Sequence, residues 1–122
     1  MEQIKLTFTI PISVNQAYAG MTRRYKSKQY KEWEKIFKHE YNNQTKYWIT
    51  DDDWLQAEYN YYMPIYNKNG TKKVKDVANY EKILTDALCK VIEGLEDHKI
   101  KSIKLEKHDS DRNEVEVLIK KV

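Results

Sequence analysis

The sequence predicts an α+β fold, with a small mixed or antiparallel sheet of about four strands and two main helices in the order β-α-β-α-β-β. Two patterns support this prediction. Apolar and polar residues alternate in several short segments, whereas apolar residues recur every three or four positions in two longer segments. With 122 residues, 40% of them hydrophobic and 34% charged, the chain has the composition of one folded domain, which we expect to span residues 1–122.

The first strand and the first helix are expected in the N-terminal third of the chain. Residues 4–10 alternate between apolar and polar, which predicts a strand with one buried face, and Pro11 ends the pattern. Residues 28–44 carry aromatic side chains at helical spacing, with Lys and Glu on the other sides of the helix. We expect this aromatic stripe to face the core; it consists of Tyr30, Trp33, Phe37 and Tyr41.

The middle of the chain repeats this order. Residues 55–65 alternate and predict a second strand, and residues 67–70 have the composition of a turn. A second helix is expected from about residue 77 to residue 92, with Gly94 suited to the helix exit. Its apolar stripe consists of Val77, Tyr80, Leu84, Ala87, Leu88 and Val91.

The C-terminal third predicts two further strands. Residues 103–105 belong to the first of them and residues 115–119 to the second. The segment 109–113 between them is rich in turn-forming residues. We therefore expect these two strands to form a hairpin.

The composition also excludes several classes of protein. Cys89 is the only cysteine, which rules out an internal disulfide or a cysteine-based zinc site, and its position in an apolar pattern predicts a small buried side chain. Residues 1–10 lack the apolar core of a signal peptide, and no apolar run approaches the ~20 residues that span a bilayer. We expect a cytoplasmic protein without a membrane partner, and the absence of a glycine-rich phosphate loop predicts no small-molecule cofactor.

Basic residues cluster in two segments, although the net charge is only +3. Such clusters attract phosphate groups and favour a nucleic-acid partner. An ordinary solvated helix or loop has the same composition, so both interpretations stay open at this point. The first cluster consists of Arg23, Arg24, Lys26, Lys28 and Lys31, and the second of Lys72, Lys73 and Lys75.

Several polar residues of the second predicted helix have structural explanations. Asp76 lies at the expected helix start, where a carboxylate accepts free backbone N–H groups. Lys82 and Asp86 are four residues apart and suit a surface ion pair. The residues expected to face away from the core are Ala78, Asn79, Lys82 and Asp86. Geometry alone favours these structural roles.

Residues 75–100 nevertheless resemble the central block of the RusA-family Holliday junction resolvases. In that family a basic residue precedes Asp-x-Asp-Asn, a Lys follows three residues after the Asn, an Asp-Ala-Leu segment comes next, and an acidic pair follows the helix. Residues 11–15 are similar to the family's Pro-x-Ser-x-Asn segment, which is a weaker match. The counterparts in the central block are Lys75, Asp76, Asn79, Lys82, residues 86–88, Glu96 and Asp97, without an insertion.

The resemblance implies a magnesium-dependent endodeoxyribonuclease, with Mn²⁺ as a substitute, that binds four-way DNA junctions and makes paired nicks in recombination and repair. Asp76 and Asp97 match two of the three catalytic aspartates that hold the metal, and Lys82 matches a lysine needed for cleavage. We expect DNA contacts from Lys75, Lys73, Lys72, Arg23, Arg24 and Asn15. Contacts that support the metal ligands are expected from Asn79, Asp86 and Glu96.

Ala78 departs from the family pattern. It stands where the second aspartate of Asp-x-Asp-Asn is expected, and a methyl group cannot bind a metal. We expect cleavage to be impaired by roughly 10²–10⁴-fold. The residue is either a deliberate inactivating substitution or a natural divergence in which catalysis was lost or another acid took over. The otherwise intact set of matching residues favours a single recent replacement. Lys99 is a milder departure, at a position where the family often has glutamine.

The resemblance also implies a homodimer, since a four-way junction has approximate two-fold symmetry and two equivalent sites can make paired nicks. Trp48, Trp54 and Tyr62 are candidates for the dimer interface, for filling the core, or for stacking on unpaired bases. Small resolvases of this type point to a phage or prophage origin in a bacterial host. The alternative is a non-enzymatic DNA-binding or regulatory protein that retains the fold.

Overall fold

A computed structural model of the chain describes residues 3–13, 16, 18–19, 25–50, 52–74 and 76–122. Within these residues a 3₁₀ helix, Asp97–Lys99, precedes the fifth strand. None of the described helices is long and apolar enough to cross a bilayer. The predicted α+β fold is confirmed, and the short strands β2 and β3 add a small antiparallel pair. The elements are β1 (Ile4–Thr9), β2 (Tyr18–Ala19), β3 (Tyr25–Lys26), α1 (Lys28–Asn42), β4 (Leu55–Met63), α2 (Ala78–Val91), β5 (Ile100–Asp109) and β6 (Glu114–Lys121).

The four long strands form one mixed sheet in the order β1-β6-β4-β5. Strand β6 is antiparallel to β1 and to β4, whereas β5 is parallel to β4. The expected hairpin between β5 and β6 is therefore wrong, because β4 lies between them. Residues 109–113 instead carry the chain past the end of β4, where the Ser110 N–H donates to the Met63 carbonyl at 3.1 Å.

The position of β4 follows from its sequence. Its apolar side chains are almost completely buried over nine residues, and Asn60 on the opposite face is also buried. A strand in that position needs a partner on each side, so that its buried N–H and C=O groups are hydrogen-bonded. The periodicity of β5 and β6 predicts which face they bury but not which strand they pair with.

Both helices pack on the same face of the sheet. The Phe8 ring of β1 stacks on Phe37 of α1 with ring centroids 4.2 Å apart, and Trp33 Nε1 donates to the Thr9 carbonyl at 3.1 Å. Tyr59 of β4 places its hydroxyl 2.8 Å from Thr85 Oγ1 of α2. The predicted aromatic stripe of α1 is confirmed, since each of its members is at most 5% exposed: Tyr30, Trp33, Phe37 and Tyr41.

The buried face of α2 is wider than its predicted stripe. Leu84, Ala87 and Leu88 are buried as expected, whereas Val77, Tyr80 and Val91 are half-buried at its margins. The buried residues that the pattern missed are Ile83 and Thr85. A threonine is accommodated there because its hydroxyl meets that of Tyr59, which satisfies both polar groups.

Gly94 has a different role from the predicted helix exit. Helix α2 ends at Val91, and its cap residue, Ile92, is extended. Gly94 follows with φ +83°, and a Cβ there would overlap the Ile49 carbonyl group. The neighbouring Ile49 N–H donates to the Glu93 carbonyl at 2.7 Å. A glycine is required because two backbone segments touch at this point.

Candidate active site

One side of α2, at the margin of its buried face, borders an open cleft of about 410 Å³. The 3₁₀ helix and β5 close its other side through Asp97 and Leu105. The contributions of α2 are spaced by three or four residues, so one face of the helix presents all of them: Ala78, Glu81, Lys82, Thr85 and Asp86. The cleft thus brings together four residues that the sequence analysis singled out, three from α2 and one from the acidic pair after it: Ala78, Lys82, Asp86 and Asp97.

The described residues of the cleft contribute three carboxylates and one ammonium. Lys82 Nζ lies 3.7 Å from Asp86 Oδ2, so the predicted ion pair is confirmed. The Lys82 side chain is 68% exposed, and an exposed pair of this kind contributes only about 0.3–0.5 kcal/mol to stability. Lys82 is therefore held loosely. Glu81 and Asp97 provide the other two carboxylates.

Among the described residues that line the cleft, Glu81 is the ionisable one that the sequence analysis did not single out. Burial raises the pKa of its carboxyl above the usual value, and the negative charges of Asp97 and Asp86 raise it further, against a Thr85 hydrogen bond that lowers it. Thr85 Oγ1 donates to Glu81 Oε2 at 3.4 Å. The available sequence signal was spacing, since Glu81 lies three residues after Ala78 on one helical face.

Asp76 does not line this cleft. Its side chain is exposed at the start of α2, and Oδ1 accepts the backbone N–H of Ala78 at 3.0 Å. That bond satisfies one of the free donors of the first helical turn, which is the structural role expected for an aspartate there. Its role as a metal ligand remains a prediction.

The donor chemistry of the cleft suits a divalent cation. Mg²⁺ and Mn²⁺ prefer oxygen ligands, and the carboxylates of Glu81, Asp86 and Asp97 in the cleft supply oxygen atoms. No group of three Asp, Glu, His or Cys side chains in the described part of the chain forms a ready-made metal site. Mg²⁺ sites often use one or two carboxylates and are completed by water and substrate phosphates. The donors present therefore fit a site completed by substrate.

Three further predicted or singled-out residues lie outside the lining of the cleft. Asn79 is half-buried at the start of α2. Glu96 is exposed and pairs with His98 at 3.2 Å. Lys99 donates to the Gly94 carbonyl at 3.2 Å, so it fastens the connection between α2 and the 3₁₀ helix. Supporting roles for Asn79 and Glu96 stay predictions.

Lys72 and Lys73 belong to a basic arm, residues 65–73, that follows β4. A bridge between Tyr66 and Lys72 makes the arm hairpin-like, and Gly70 with φ +85° forms its turn. Three lysines and two apolar side chains line a cavity of about 220 Å³ beside it: Ile65, Tyr66, Lys72, Lys73 and Lys107. The arm leads within a few residues to the start of α2, and its charge suits phosphate.

The remaining predicted DNA contacts, Asn15, Arg23, Arg24 and Lys75, lie outside the described residues. Among the candidate interface aromatics, Trp48 is 66% exposed and Trp54 is 56% exposed. Tyr62 is half-buried instead, stacked on His108 with ring centroids 4.9 Å apart and covered by Arg112. Its ring already has partners on the helix-free face of the sheet.

Carboxylates beside a lysine, in an open cleft of a small α+β domain, define the class of site that metal-dependent hydrolases use on phosphodiesters. The family model of endodeoxyribonuclease RusA matches residues 10–120, so the chain belongs to the RusA endodeoxyribonuclease family. This match confirms the resemblance found in the sequence. The family comprises divalent-metal-dependent nucleases of the Holliday junction resolvase type, which bind branched DNA. No curated protein matches the chain significantly.

Proposed function

We propose that this chain is a Mg²⁺-dependent crossover-junction endodeoxyribonuclease whose cleavage is impaired by Ala78. The observation that carries the proposal is the shared cleft, in which Lys82 and Asp97 meet the position of the missing aspartate. The family match covers this whole region. The native substrate is a four-way DNA junction, which the protein nicks in pairs during recombination or repair.

The predicted catalytic residues in and beside the cleft have roles that their positions allow. Asp97, with Asp76 at the helix start, would hold the cation, which when bound activates water and neutralises phosphate charge. Lys82 is exposed and only loosely paired with Asp86, so its ammonium can turn towards a phosphate in the cleft. There it stabilises the negative charge that develops on the phosphate oxygens during cleavage.

The surrounding surface supplies DNA and protein contacts in this proposal. The basic arm carries Lys72 and Lys73 and leads towards the start of α2, where it can contact phosphates that flank the cleft. In a homodimer a two-fold axis that matches that of the junction relates the two clefts, and the exposed Trp48 and Trp54 are candidate dimer contacts. The protein acts in the cytoplasm of a bacterial host, with a phage or prophage origin.

Cleavage of a labelled four-way junction in Mg²⁺ tests the proposal. The Ala78→Asp variant should make paired symmetric nicks about 10²–10⁴ times faster than the parent protein, since it restores an acidic ligand. Adding Lys82→Ala to that variant should remove the gain, whereas adding Lys35→Ala, at an exposed lysine of α1 outside the basic clusters, should leave it intact. If the folded Ala78→Asp variant binds the junction without cutting it, the nuclease proposal fails.

A non-enzymatic DNA-binding or regulatory protein is the second candidate function. Ala78 and the absence of a three-ligand metal site among the described residues favour it. Such a protein should bind a four-way junction with an affinity that falls steeply as salt rises, because phosphate contacts dominate. It should cut no junction with either residue at position 78.

A further inference from the structure

Glu81 occupies the cleft one helical turn after Ala78. Residues three apart on an α-helix are separated by about 4.5 Å along the axis and lie on the same face. Both residues line the cleft that Asp97 also lines. A glutamate side chain is one carbon longer than aspartate, so a carboxylate from position 81 has additional reach within the same cleft.

The inner side of this carboxylate is anchored by buried hydroxyl groups. Thr85 Oγ1 donates to Glu81 Oε2, and the single hydroxyl proton of Thr85 is thereby used. The Tyr59 hydroxyl, 2.8 Å away, must then be the donor to Thr85 Oγ1. This chain from Tyr59 through Thr85 to Glu81 resembles the outer hydrogen bonds that orient carboxylate ligands in metal sites.

The anchored carboxylate still has oxygen to offer to the cleft. A carboxylate has about four lone-pair sites, and the hydrogen bond from Thr85 uses one of them. Glu81 is half-buried and lines the cleft, so its remaining lone pairs can bind a cation there.

The charges in the cleft also favour a cation. Among the described residues that line the cleft, Glu81, Asp86 and Asp97 share one ammonium, that of Lys82, which lies next to Asp86. The ion pair partly neutralises Asp86, and the described part of the cleft supplies no second cation for Glu81 and Asp97. Two carboxylates are within the number that Mg²⁺ takes from protein when water and phosphate complete its coordination.

We propose that Glu81 supplies the carboxylate that Ala78 lacks, so that a divalent cation is held in the cleft by Glu81 together with Asp97. The inference rests on the proposed function and assigns the natural-divergence explanation to this site, in which a neighbouring acid has taken over. In this proposal metal binding is retained although the carboxylate expected at residue 78 is missing, so the protein can bind the cation and still cleave poorly.

Mn²⁺ binding tests this inference without a measurement of DNA cleavage. The protein is titrated with Mn²⁺, and electron paramagnetic resonance measures the signal of the free ion. The parent chain should bind, and Glu81→Gln should weaken binding at least tenfold, whereas Glu32→Gln on α1 should leave it unchanged. Adding Ala78→Asp to Glu81→Gln should recover the affinity. Circular dichroism should show that every variant is folded. Glu81→Gln removes one of the three negative charges of the cleft and adds no buried charge.

Equal Mn²⁺ affinity of the parent and Glu81→Gln would overturn the inference. So would a parent that binds no Mn²⁺ while Ala78→Asp binds it. In either case the proposed function is judged separately, by whether Ala78→Asp cuts the four-way junction. Failure of both tests would refute the proposed nuclease activity as well as the proposed metal site.

Discussion

Gly94→Ala should be among the most destabilising single-methyl changes in this chain. Gly94 adopts φ +83°, and the added Cβ would overlap the Ile49 carbonyl group, with the carbonyl carbon only 2.8 Å away. Backbone atoms cannot rotate aside as a flexible side chain can. The segment around Ile49, which is tied to Glu93 by a 2.7 Å hydrogen bond, would have to shift.

Gly70→Ala is the matched control. Gly70 has φ +85°, nearly the same backbone conformation, but no atom lies within 4 Å of the position of its added Cβ. Both variants incur about 1–2 kcal/mol for an alanine in the left-handed region, and both restrict the unfolded chain similarly. Overpacking costs a further 1–3 kcal/mol, roughly, at Gly94 alone. We therefore expect losses of about 1–2 kcal/mol for Gly70→Ala and about 2–5 kcal/mol for Gly94→Ala.

Urea unfolding followed by circular dichroism measures the difference. With a slope of about 2 kcal/mol per molar urea, Gly70→Ala should lower the midpoint by about 0.5–1 M and Gly94→Ala by about 1–2.5 M. Equal midpoints for the two variants would refute the reasoning, because the backbone contact with Ile49 would then contribute nothing. A normal midpoint for Gly94→Ala would refute the conformational part as well.

Two further predictions concern two buried tyrosines and Cys89, which is half-buried rather than buried as its apolar surroundings in the sequence predicted. Tyr59→Phe should lower the free energy of unfolding by about 1 kcal/mol, because it breaks the hydrogen bond to Thr85. Tyr61→Phe should be neutral or stabilising by about 1–3 kcal/mol, since it removes a buried hydroxyl without a hydrogen-bond partner among the described residues. Urea unfolding of both variants measures these changes, and the reverse order of stability would contradict the prediction. Burial and the nearby carboxylates raise the Cys89 pKa from 9.0 to about 11, so at pH 8 its thiolate fraction is about 100-fold lower than that of a free thiol. Labelling with a thiol reagent should accordingly be about 100-fold slower than in urea, and equal rates would contradict this.

Much of the fold was predictable because local periodicity reports burial directly. The aromatic stripe of α1 and the alternation of β1 and β4 identify side chains that the core then covers. The error at β5 and β6 has the same origin. A period of two shows which face of a strand is buried, but strand pairing depends on the partners that β4 needs on both of its edges.

The candidate site was predictable in part. The sequence motif identified Lys82 and Asp97, and the cleft holds both. Asp76 accepts a hydrogen bond from the first turn of α2, as its structural explanation predicted. A single sequence could not distinguish this role from metal binding. Glu81 was missed because a lone glutamate on a helix is common. Its significance depends on Thr85 and Asp97, which are near it only in the folded chain.

The sequence by itself determined the order of the main helices and long strands, most of their buried faces and the family, because these depend on local pattern and on motif spacing. The tertiary structure alone decided that β4 separates β5 from β6, that Gly94 admits the backbone of Ile49, and that Glu81 shares a cleft with Asp97. These three features bring together residues from separate elements. Their energies come from contacts that exist only after the helices have packed on the sheet.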